Sequence, residues 1–190
     1  DKDDATVPVR GRRSFERWVL WVLGVAATIV TACYLSLLMS SEGLTSDERK
    51  IVMDAVVLIE QAGFSHEAFA LRHLVSYRRT DNWWNRYVGH QDAYAATNFP
   101  FAVQTLYSDC SRFPGDDTER ATILLHESYH LFGGREETAL ARVWIGKQRL
   151  GWSSRRYSHT RVWRNTKEWT VAAVPGLFMC GEDGRSDCVE

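Results

Sequence analysis

Two histidines one helical turn apart, with an acid beside the first, are the residues in this chain best suited to chemistry. They are His126 and His130 in the stretch ILLHESYHLFGG, and Glu127 follows the first of them. On a helix, residues four apart project from the same face, so both imidazoles can reach one metal ion about 2.0–2.1 Å away. Glu127 is turned about 100° around the axis and can reach a water at the metal. The alternative is an ordinary helix with two polar interruptions.

A catalytic zinc site typically takes three protein ligands and leaves a fourth position open, so a third ligand is needed. Glu136 and Glu137 follow the second histidine closely. A tight chain reversal at Gly133-Gly134 brings them back beside the metal. Either acid could serve, and the other would then be a favourable charge at a helix start.

The stretch 126–139 resembles the zincin metallopeptidases, whose H-E-x-x-H helix it reproduces. Glu136 to Ala139 also resembles the E-x-x-A of many gluzincins, and this resemblance implies Glu136 as the third ligand. The metzincin-like spacing selects the same residue, with Met179 as a candidate Met-turn, although a metzincin has a third histidine there. The resemblance implies an α+β, predominantly helical zincin-like domain with a small sheet.

A working zincin implies a zinc ion that polarises the scissile carbonyl, with Glu127 as general base. The developing oxyanion needs a further donor, which the motif does not mark. His159 and Tyr157, in the stretch RRYSHTR, are predicted as catalytic candidates. His90 and Tyr94 are second choices, and each of these side chains also suits an ordinary surface or packing position.

The elements around the motif are predicted from apolar periodicity, capping residues and breakers. Thr45 and Glu48 form a capping-box pattern before a helix, and FAVQTLY carries the β-branched and aromatic residues of a strand. The predicted helices cover 46–62, 65–77, 118–132, 136–149 and 163–173, and the predicted strand covers 101–107.

An uncharged run of 23 residues, 18–40, is long enough to cross a bilayer core as a helix. Arginines lie before the run, whereas acidic residues are the first charged side chains after it. The positive-inside rule then predicts a cytoplasmic segment 1–17, a membrane helix 18–40 and an extracytoplasmic domain 44–190. Val30 to Cys33 also resembles a lipobox, so anchoring through a lipid on Cys33 is the alternative.

Composition excludes some classes of function and suggests one covalent link. The formal net charge of −1 provides no global positive field for nucleic acid. In an oxidising compartment Cys180 and Cys188 are predicted to pair, with Cys110 as an alternative partner for either. No pattern indicates an oligomeric state.

Together these features predict a single-pass, membrane-anchored zinc peptidase that acts on a peptide or protein substrate. The alternative is an anchored zinc-binding interaction domain without activity. Glu127 favours the enzyme, because a purely structural zinc site needs no general base and prefers four closed protein ligands.

Overall fold

The computed structural model describes residues 10–89, 93–181, 183 and 186–189, with side chains from residue 15 onward. Helices dominate these residues, and a three-stranded sheet accompanies them. The helices are α1 (Arg10–Met39), α2 (Ser46–Gln61), α3 (Ser65–His73), α4 (Trp83–Val88), α5 (Ser108–Arg112), α6 (Asp117–Leu131), α7 (Glu136–Gly146), α8 (Ser154–Tyr157) and α9 (Arg161–Ala173). The strands are β1 (Ser76–Arg78), β2 (Ala95–Asn98) and β3 (Val103–Leu106).

The first helix is long and apolar enough to cross a membrane. Its segment Phe15–Met39 has 25 residues, and the most apolar 18-residue window of this segment has a mean hydropathy of 2.1 and is only 6% buried. The helix begins before the predicted 18–40, at Arg10, because arginine and glutamate are good helix formers that extend it as a polar first part. A signal sequence near an N-terminus shares these properties, and the predicted orientation of the chain stays a prediction.

Helices α2 and α6 form the centre of the core. The predicted capping box is present at the start of α2: the Thr45 backbone N–H donates to Glu48 Oε2 over 2.7 Å, and the Glu48 N–H donates to Thr45 Oγ1 over 3.3 Å. One face of this helix is buried in the core through Val52, Ala55 and Ile59. Local sequence signals therefore predicted α2 within one residue.

The sheet has the order β1-β3-β2, with β1 parallel and β2 antiparallel to β3. The predicted strand 101–107 is confirmed as the shorter β3. The predicted helix 65–77 is wrong at its end, because α3 stops at His73 and the following Ser76–Arg78 pairs with Val103–Thr105 instead. Long-range pairing overrides the local helical pattern here.

A second part of the core joins α7, α9 and the C-terminal segment. The rings of Trp144, Trp152 and Trp163 pack against one another with centroids 4.6–6.0 Å apart. The predicted disulfide between Cys180 and Cys188 is confirmed. Cys33 and Cys110 are free thiols, and burial raises the pKa of Cys110 to about 12.

Candidate metal centre

Helix α6 positions the two histidines because its apolar face packs in the core. Its N-cap is Asp116, whose side chain accepts the Glu119 N–H over 3.1 Å. Leu124 and Leu125, the two residues immediately before His126, are buried. The predicted helix 118–132 is confirmed, and it presents His126 and His130 from one face.

The three predicted ligands converge on one point. His126 Nε2 lies 3.1 Å from His130 Nε2 and 3.3 Å from Glu136 Oε1, and His130 Nε2 lies 3.1 Å from Glu136 Oε2. Ligands about 2.0–2.1 Å from a tetrahedral zinc are separated by about 3.3 Å from one another. The measured separations match the edges of such a tetrahedron, so the donors fit a zinc ion.

The tautomer of His130 is fixed by a contact behind the ring. His130 Nδ1 donates to the Gly134 carbonyl over 2.8 Å, since a carbonyl can only accept. The neutral imidazole therefore presents its lone pair on Nε2, toward the other two ligands. Carbonyl partners of this kind orient histidines in metal sites.

The glycine pair after α6 makes the chain reversal that brings Glu136 back. Gly133 has a φ of 75°, in the left-handed region that favours glycine. A Cβ on Gly134 would lie 2.7 Å from the Tyr129 carbonyl oxygen, to which the Gly134 N–H also donates. The turn thus excludes a side chain at this position and supplies the carbonyl that holds His130.

The cluster attracts positive charge. Hydrogen bonds from His126 and His130 hold the pKa of Glu136 far below its usual range, so the carboxylate is ionised at neutral pH. Burial alone would lower the pKa of His130, but the Glu136 and Glu127 carboxylates and the Gly134 carbonyl raise it to about 9. A proton in the metal-free protein occupies the place that a metal cation would take.

Glu127 lies beside the cluster and is not one of the three converging ligands. It is 6% exposed, and its Oε2 accepts a hydrogen bond from Thr97 Oγ1 over 2.7 Å. Thr97 belongs to β2, so the strand orients the acid. Sequence reasoning missed Thr97, because its position depends on the packing of β2 against α6.

The three converging ligands and Glu127 line one open cleft of about 830 Å³. This volume is in the range of small-molecule and peptide-binding pockets. One wall is Ala93–Thr97, which includes the first three residues of β2, and the others come from α6, α7 and α9. The remaining lining residues are Thr122, Ile123, Leu140, Val143, Thr166, Trp169, Ala172 and Ala173.

The structure does not bring the two predicted oxyanion donors to this cleft. Tyr157 is buried, and its hydroxyl donates to Asp116 Oδ2 over 2.7 Å, at the start of α6. Asp116 precedes His126 by ten residues, about 15 Å along the helix. His159 is exposed between α8 and α9. Their predicted catalytic role therefore gains no support from these positions.

The second-choice residues divide differently. Tyr94 lines the cleft, and its hydroxyl accepts a hydrogen bond from Asn165 Nδ2 over 3.1 Å. His90 lies outside the described residues.

Glu137 is exposed and does not join the ligand group, and Met179 is 66% exposed and does not line the cleft. Among the predicted ligands, the structure assembles His126, His130 and Glu136.

Comparisons with protein-family models, with curated proteins and with solved structures found no match to this chain.

Proposed function

We propose that this protein is a membrane-anchored, zinc-dependent peptidase of zincin type. The observation that carries the proposal is the convergence of His126, His130 and Glu136 within 4.8 Å, in a cleft that also holds the buried Glu127. Two imidazoles and a carboxylate are a donor set that zinc prefers, and three protein ligands are typical of a catalytic rather than a structural zinc site.

The alternative is an anchored zinc-binding interaction domain. A closed structural site would use four protein ligands, and the group that the described residues assemble has three. Such a domain would also gain nothing from a buried carboxylate held by a strand at the edge of the site. The position of Glu127 therefore favours hydrolysis.

A zinc ion bound to this group would polarise the scissile carbonyl and lower the pKa of a water molecule towards 7. Glu127 would accept the proton from that water and pass it to the leaving amine. The Thr97 hydroxyl donates a hydrogen bond to Oε2 of Glu127, and Oε1 would take the proton. Tyr94 lines the same cleft and is therefore a better-placed donor for the oxyanion than Tyr157 or His159. Its hydroxyl accepts a hydrogen bond from Asn165, so its own proton would be available to the oxyanion.

The cleft suits an extended peptide. Within the described residues β2 is an edge strand, since it pairs only with β3, and it forms one wall of the cleft. A substrate backbone could add to this edge by main-chain hydrogen bonds. Apolar walls from Ile123, Leu140 and Val143 favour a substrate with an apolar side chain near the scissile bond.

Metal content and peptide cleavage test the proposal together. We would purify the full chain in detergent, measure zinc by elemental mass spectrometry and screen a peptide library for cleavage. We expect about one zinc per chain and metal-dependent hydrolysis, both of which are lost in His126→Ala/His130→Ala. Zinc without any cleavage would instead support the interaction domain, and a folded protein that takes up no zinc would overturn both readings.

A further inference from the structure

Helix α4 exposes an aromatic surface that the rest of the described chain leaves uncovered. Trp83, Trp84, Tyr87 and Val88 form this α4 surface, and their exposed fractions are 41%, 44%, 88% and 55%. Asn85, on the opposite side of the helix, is buried. Exposed apolar patches of this kind mark surfaces that bind a partner or a membrane.

The α4 surface lies against the last turns of α1. Trp83 Nε1 donates to Ser36 Oγ over 3.0 Å, and Arg86 Nη1 donates to the Ser40 carbonyl over 3.4 Å. Next to it, the hydroxyls of Tyr34 and Ser76 are 2.7 Å apart. If α1 crosses a bilayer, the position of this end of α1 relative to the bilayer therefore also fixes the position of α4.

The length of α1 puts these contacts at the height of the lipid headgroups. The apolar segment Phe15–Met39 has 25 residues and spans about 37 Å, whereas the hydrocarbon core is about 30 Å thick. About twenty residues are enough to cross that core, and the uncharged run begins at Trp18, so the core ends near Leu37, between Ser36 and Ser40. The Tyr34 hydroxyl is hydrogen-bonded to Ser76 of the domain, and Leu37 is 1% exposed because protein already covers it.

We propose that the α4 surface inserts into the interfacial layer of the bilayer, beside the point where α1 leaves the membrane. Tryptophan and tyrosine favour this layer because their rings are apolar and their N–H or O–H groups are polar. Arg86, which is exposed on α4 itself, suits anionic headgroups. A lipid occupant follows from continuity with α1, and the inference rests on the anchoring part of the proposed function.

Docking of α4 would also orient the metal cleft. Asn82 Nδ2 donates to Asn98 Oδ1 over 2.7 Å, and Asn98 Nδ2 donates to Asn85 Oδ1 over 2.7 Å. These three asparagines are buried, and Asn98 ends β2, the strand that lines the cleft. Because α4 and β2 are joined in this way, a fixed position of α4 on the membrane fixes the cleft relative to it. Substrates close to the bilayer surface would then be favoured.

Photolabelling from the lipid tests this surface directly. The full chain would be placed in nanodiscs that contain a phospholipid with a photoreactive diazirine near its headgroup, and adducts would be mapped by mass spectrometry. We expect adducts on residues 83–88 and on the end of α1, and none on Ile145, which is 53% exposed on α7. In Trp84→Ser/Tyr87→Ser, adducts on the rest of α4 should fall several-fold while those on α1 persist. Circular dichroism checks that the variant is folded.

Several results would overturn the inference. Adducts on α1 without adducts on α4 would show that the surface stands clear of the lipid. Labelling of Ile145 equal to that of α4 would show no preference for this surface, and cross-links from α4 to a second copy would identify a protein partner. Absence of adducts on α1 would overturn the anchor as well, whereas the zinc and cleavage measurements test the enzyme separately.

Discussion

The two ends of α7 hold charged side chains in opposite ways. At its start, Glu136 is 57% exposed and faces two histidines in an open cleft. Just after its end, Lys147 and Asp187 form an ion pair with a separation of 2.9 Å and side chains that are 1% and 5% exposed. Trp144 Nε1 also donates to Asp187, over 2.9 Å. The first group is open to a ligand, and the second is closed by the protein.

The difference in exposure between these two groups distinguishes a site that can take a ligand from a contact that only stabilises the fold. A buried charge is tolerated only when the protein itself supplies its partner, and Lys147 has Asp187 for that purpose. The metal cluster brings three donors to one point and leaves one side to the cleft. Convergence of donors without closure is therefore an arrangement that could hold a cation, whereas closure indicates a role in stability.

The largest effect is expected from breaking the closed pair. Asp187→Ala leaves the Lys147 ammonium buried without a carboxylate, which typically costs about 3–5 kcal/mol. Denaturant unfolding should therefore show a loss of this size in the free energy of unfolding. The matched control is Lys147→Met/Asp187→Asn, which removes both charges and keeps an acceptor for Trp144, and it should be far milder. Equal losses in the two variants would contradict the account of the pair.

A smaller effect is expected at the open cluster, and it falls on metal binding rather than on folding. Glu136→Ala removes one of three ligands, so zinc affinity should fall by at least the roughly 10–100-fold that loss of an outer contact costs. Glu137→Ala is the matched control, because this neighbouring acid is exposed and outside the ligand group. Competition with a zinc-binding dye measures both variants. The reverse ranking would assign the third ligand to Glu137.

The smallest effect is expected at Thr97. Thr97→Val removes the hydroxyl that holds Glu127 Oε2 but keeps the shape of the side chain, so turnover should fall about ten-fold with zinc retained. Thr97→Ser, which keeps the hydroxyl, should stay close to the parent. Steady-state cleavage kinetics and metal analysis on the same samples provide the test. Unchanged turnover in the valine variant would show that the strand does not orient the acid.

Local signals in the sequence predicted much of the open cluster. The spacing of His126 and His130, the turn at Gly133-Gly134 and the acid at Glu136 all lie within eleven residues, so helix and turn geometry alone brings them together. The capping box of α2 and the Cys180–Cys188 disulfide are similarly local. Short-range geometry is the part of structure that a sequence states most directly.

Contacts between distant parts of the chain could not be read in this way. Thr97 meets Glu127 across 30 residues, and Asp187 meets Trp144 across 43. Tyr157 has a suitable hydroxyl for catalysis, yet long-range packing places it at the far end of α6, on Asp116. Residue type predicts chemical capacity, and only tertiary packing decides where that capacity is used.

Replacement of Glu127 by glutamine tests the central claim most directly. Glu127→Gln keeps the size of the side chain and its bond with Thr97 but removes the basic carboxylate. We predict about one zinc per chain, as in the parent, and a fall in turnover of about 10²–10⁴-fold, the usual contribution of a general base. Turnover equal to that of the parent, at full zinc content, would contradict hydrolysis at this centre.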